Sequence, residues 1–107
     1  MYKPTSIVIA GINYKIEYKA ISDWGRMNED KKIITLSTKI KDTETIVDTL
    51  LHEVLHAVLR MSGLYYSLLK ANDSNEEGVV RGLENLYLPV VKNVLKEAEV
   101  SLLKTSL

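Results

Sequence analysis

Apolar and polar positions first alternate along this chain and then change period. Ser6-Ile7-Val8-Ile9-Ala10 is a short β-rich run ended by Gly11; Ile12, Tyr14, Ile16 and Tyr18 then alternate with Asn13, Lys15, Glu17 and Lys19. Period two marks a strand with one buried face, so the two runs predict a hairpin turning at Ala10-Gly11. Trp24 to Asp30 holds turn formers without a clear period and predicts a loop, and Lys31 to Ser37 predicts a third strand. Beyond it the period becomes 3.6. Ile46, Val47, Leu50, Leu51, Val54, Leu55, Val58 and Leu59 predict a helix over about 43–62, with Asp42 or Thr43 as N-cap and Gly63 as a left-handed stop. Leu64 to Asp73 reads as a connection. Ser74-Asn75-Glu76-Glu77 opens a second helix with Val79, Val80, Leu83, Leu86, Tyr87 and Val90 on one face. Pro89 must kink that helix or start another. Val90 to Leu103 is helical again, with Val94, Leu95, Ala98 and Leu102 as packing residues. The whole predicts an α+β domain over residues 1–107, in which a three-stranded, mainly antiparallel sheet packs on the apolar arc of the long helix.

Composition narrows this reading. A chain of 107 residues supports one core and is too short for two. A formal net charge of zero does not indicate a nucleic-acid partner. With no cysteine, disulfides and thiolate metal sites are excluded. No run resembles a signal peptide or approaches the roughly 18 apolar residues of a membrane span, so a cytoplasmic protein without a membrane partner is expected.

Both of the chain's histidines lie in His52-Glu53-Val54-Leu55-His56, an H-E-x-x-H pentapeptide inside the long helical stretch. Residues four apart stack on one helix face, so both rings can address one ion. Projected at about 100° per residue, Thr45, Asp48, Thr49, His52, Glu53, His56 and Arg60 fill the polar arc, with the histidines near its centre. Zinc accepts neutral imidazole nitrogens and keeps a water in an open position when the site is catalytic; Glu53 is placed to take a proton from that water. The plain alternative is a polar helix face that holds two histidines by chance.

A catalytic zinc takes three protein ligands, and with no third histidine the third must be a carboxylate. Glu76 and Glu77 lie 20 and 21 residues beyond His56. Ser74 with Glu77 fits the S-x-x-E capping box. Glu76 shares the inward stripe with Val79 and Leu83, whereas Glu77 sits about 100° away, toward solvent. This assigns Glu76 to the metal and Glu77 to the cap, although both also suit the first turn of any helix. Asp48 reads as an orienting carboxylate for His52 or as a charge near a helix N-terminus. Tyr65 and Tyr66 are open between core and substrate contact, Tyr87 reads as core, and Lys92, Lys96 and Lys104 as a solvated face.

HEVLHAVL followed by NEEGVVRGLENLY resembles the gluzincin-type zinc metallopeptidases, and most nearly the small phage- and prophage-encoded ImmA/IrrE-like and SprT-like proteins and the compact minigluzincins. The order of elements is similar too. The resemblance implies a zincin-like fold, zinc held by His52, His56 and Glu76, and Glu53 as general base and acid for hydrolysis of a peptide or protein substrate. Lys31 to Ser37 would be the edge strand that binds an extended peptide. A non-proteolytic zinc-binding regulatory or interaction module of phage origin is the alternative. Minigluzincins can be latent, with a C-terminal segment in the cleft, and the segment after Pro89 is long enough for that.

Overall fold

Alternation becomes strand and the 3.6 period becomes helix, in the order β1 (Ser6–Ile9), β2 (Ile12–Lys19), β3 (Gly25–Asn28), β4 (Ile33–Ser37), α1 (Thr43–Met61), α2 (Leu64–Ser67), α3 (Asp73–Gly82), a π-helical turn (Leu83–Tyr87) and α4 (Leu88–Ser106). This computed structural model describes the backbone of residues 1–106 and the side chains of residues 1–99. The fold is α+β. None of its described helices is long and apolar enough to cross a membrane.

The sheet has four strands in the order β1-β2-β4-β3, not three. Positive φ at both Ala10 and Gly11 closes the β1-β2 hairpin, the backbone that suits strand twist in a two-residue turn. β2 and β4 run parallel, and β3 returns antiparallel to β4, so the sheet is mixed. Two expectations fall with this. Trp24 to Asp30 is not all loop, because Gly25–Asn28 pairs along Ile33–Leu36. The strand at Lys31 to Ser37 is central rather than an edge, and the edges are β1 and β3. The four residues of β3 are too few for a period to show. It is held by side-on contact instead: a Cβ at Gly25 would stand 2.6 Å from Thr49 Cγ2, so only glycine lets the strand approach α1 this closely.

Ile46, Leu50 and Ala57 of α1 pack against Tyr14, Ile16, Ile34 and Leu36 of the sheet. A smaller cluster of Leu59, Leu69 and Val80, with Leu55 against it, joins the other flank of α1 to α3. The Asp42 carboxylate caps α1 through the Thr45 N–H, and Gly63 follows its end at φ +80°, as the sequence predicts. The connection after it contains the single turn α2.

Beyond Gly82 the helical pattern holds but the packing expectations fail. Pro89 is the second residue of α4, which starts at Leu88. It has no N–H to give, and the helix passes it after a π turn in which Leu88 N–H reaches back to Leu83 C=O. Tyr87, expected in the core, is 59% exposed, and Leu86, Val90, Val94, Leu95 and Ala98 are exposed as well. Leu102 lies outside the residues whose side chains are described.

Candidate metal centre

α1 carries His52 and His56 one turn apart, with ring centroids 4.9 Å from each other. Their Nε2 atoms approach to 3.2 Å. Glu53 between them is buried. His52, Glu53 and His56 bring ligand atoms within 4.8 Å of one another, a group able to hold a metal ion.

The two candidate glutamates of α3 are both at the site, and Glu77 does not cap the helix. Glu76 is inward, as its phase predicts, and only 2% exposed, but its Oε1 accepts from His56 Nδ1 at 2.5 Å. Its Oε2 accepts from Arg60 Nε at 3.2 Å. Glu77 faces the histidines rather than solvent: Oε1 lies 3.4 Å from His52 Nε2 and Oε2 3.0 Å from His56 Nε2. Nor does it cap. Asn72 is the N-cap, accepting from the Asn75 N–H, so α3 begins before Ser74 and the S-x-x-E pair falls inside the helix. Arg81, one turn on, holds Glu77 Oε1 at 3.3 Å.

Glu84 is the residue that the sequence reading missed. Its Oε1 pairs with His52 Nδ1, so each imidazole has a carboxylate behind it. Its signal was its spacing: seven residues after Glu77 is two helical turns, the same face.

An ionised carboxylate only accepts, so a neutral imidazole that donates from Nδ1 to its glutamate presents a lone pair at Nε2. In that form two lone pairs and the Glu77 carboxylate face one another, an arrangement that a cation would relieve. Zinc bonds of about 2.0–2.1 Å in tetrahedral geometry separate ligand atoms by roughly 3.3 Å. The two Nε2 atoms stand 3.2 Å apart, and Glu77 meets them with different oxygens, Oε1 at 3.4 Å from His52 and Oε2 at 3.0 Å from His56.

The surroundings are polar and ordered. Arg60 also donates to Asp73 Oδ1 at 3.2 Å and lies 4.0 Å over the Tyr65 ring. Burial pushes the Arg60 guanidinium down, but its bond to Glu76 and the field of that carboxylate outweigh burial and leave it raised. Tyr65 is buried with its hydroxyl on Asp73 and on the Ala71 carbonyl, which makes it structural; the Asp73 bond, with burial, raises it. Tyr66 is exposed. Asp48 pairs with Lys92 at the exposed surface and does not orient His52. Desolvation by burial raises Glu53 against the lowering effect of the two histidines, with Glu77 and Glu84 adding to the rise.

A cleft of about 370 Å³ opens over the histidines between β3 and α3, bounded by Gly25, Arg26 and Met27 on one side and by Glu76 and Glu77 on the other. A second hollow of about 650 Å³ continues past Trp24 to Glu84. No described residue of α4 lines either, so the described part of the C-terminal helix does not fill the cleft. Comparison with family models, curated proteins and solved structures gives no match.

Proposed function

We propose that the chain is a small zinc-dependent peptidase of the gluzincin type, with a zincin-like arrangement of sheet, motif helix and glutamate helix. His52, His56 and Glu77 are the ligands, in place of the set with Glu76. The observation that carries this is the meeting of two imidazole Nε2 atoms 3.2 Å apart with the Glu77 carboxylate, one oxygen 3.4 Å from His52 and the other 3.0 Å from His56. A bound zinc ion supplies a water of lowered pKa and polarises a carbonyl.

The chain's own residues do the rest. Glu53, already inclined to hold a proton by its burial, accepts one at its carboxylate and returns it to the leaving amine. The outer edge of β3 has free backbone N–H and C=O groups beside the cleft, and it takes an extended peptide by strand addition. Gly25 keeps that edge close to α1. The substrate is accordingly an extended segment of a peptide or protein.

Cleavage of a peptide library by wild type and Glu53→Gln tests this. Loss of cleavage in the variant with zinc still bound supports the peptidase. Equal inertness of the two with zinc bound favours a non-proteolytic zinc-binding interaction module. One observation suits that second reading: Leu86, Tyr87, Val90, Val94 and Leu95 form an exposed apolar row on the last helix.

A further inference from the structure

The two imidazoles need more than a helix to aim them. A histidine on a helix face can turn either nitrogen toward an ion, and which one it presents is set by what the other nitrogen bonds. His56 has Glu76 at Nδ1, at 2.5 Å, and Glu76 is locked in turn by Arg60. That pair is buried between α1 and α3. His52 lies nearer the cleft mouth, where nothing of α3 reaches its Nδ1. The residue that does reach it comes from the π turn: Glu84, 32 residues on in the chain.

We infer that Glu84 is a positioning residue for His52. It holds the hydrogen on Nδ1 and turns Nε2 toward the point shared with His56 and Glu77. Glu84 makes no contact with that point itself, and its side chain is partly open to solvent. The helix keeps it there by two features: Glu77 and Glu84 share a face, and the backbone runs on through the π turn past Pro89 instead of breaking. This rests on the metal reading above and extends it to a residue two turns away from any ligand on its own helix.

The test uses the full chain stripped of metal and then titrated with zinc against a chromophoric chelator, in wild type, Glu84→Ala, Glu84→Gln and His52→Ala. Removing a carboxylate that orients a ligating histidine costs about 10–100-fold in metal affinity. Glu84→Ala is therefore expected to lose that much, while Glu84→Gln, whose amide oxygen still accepts, loses less. Long-range nitrogen–proton correlation spectra of the metal-free chain give a second readout. Glu84→Ala shifts the His52 ring away from the Nδ1–H form and leaves His56 as it was. Unchanged zinc affinity together with an unchanged His52 ring pattern overturns the inference. If His52→Ala binds zinc as well as wild type, the metal reading itself fails, and the His52 ring pattern alone then decides the role of Glu84.

Discussion

Gly25→Ala is the most revealing single change in the fold. A Cβ there stands 2.6 Å from Thr49 Cγ2, with Leu36 Cδ2 and the Thr35 carbonyl both at 3.3 Å. The nearest obstacle is a β-branched methyl fixed to a helix, and the other two close the remaining sides, so β3 must move off α1. Overpacking of this kind costs about 1–3 kcal/mol. Alanine returns about 0.4–1 kcal/mol by narrowing the unfolded ensemble. The net loss is about 1–2 kcal/mol, a fall in Tm of roughly 4–10 °C for a chain of this size. Thermal unfolding of Gly25→Ala, Thr49→Ser and the double variant measures it, because Thr49→Ser removes the clashing methyl and keeps the hydroxyl. The double variant should recover most of the loss, a coupling of at least about 0.5 kcal/mol. A single variant as stable as wild type, or a loss that Thr49→Ser does not relieve, refutes the close approach of β3 to the motif helix.

Four further outcomes follow. Val80→Ala, in the small cluster with Leu59 and Leu69, should cost about 1.5–3 kcal/mol in chemical denaturation, and a cost near zero would deny that α3 is docked on α1. Tyr14→Phe should leave stability unchanged or raise it by up to about 1–3 kcal/mol, because the buried Tyr14 hydroxyl has no hydrogen-bond partner among the described residues; a clear loss would show that it has one. The Thr45 N–H holds Asp42 below its ordinary value of 3.8, so its stabilisation is present above that value and disappears as pH falls through the lower folded one. The Tm deficit of Asp42→Ala at neutral pH should therefore shrink in strong acid, and an equal deficit in both would contradict the cap. Zinc at 100 times its Kd should stabilise the chain by about 2.7 kcal/mol, a gain that a chelator removes; a Tm indifferent to both would count against the site.

The elements with long periods were legible in the sequence. Eight alternating residues made β2 plain, and four turns of apolar residues with Asp42 and Gly63 at the ends bounded α1 within a residue or two. β3 was not legible, because four residues around a glycine carry no period and their pairing depends on partners five to eleven positions away. The two histidines and Glu53 could be placed by helix phase alone. Glu76 and Glu77 could not, since the choice hung on where α3 starts. Ser74 and Asn72 are both good caps, and tertiary contacts of the Leu69–Asn75 segment select Asn72. Glu84 was legible only as a position on the face of Glu77, because nothing in the pattern shows which carboxylate of that face meets His52.

The central claim is a metal held by His52, His56 and Glu77. The most direct measurement is the metal content of the chain purified without added metal, by mass spectrometry, beside His52→Ala. The account predicts about one zinc per wild-type chain and almost none in the variant. A substoichiometric value that is the same in both would contradict it.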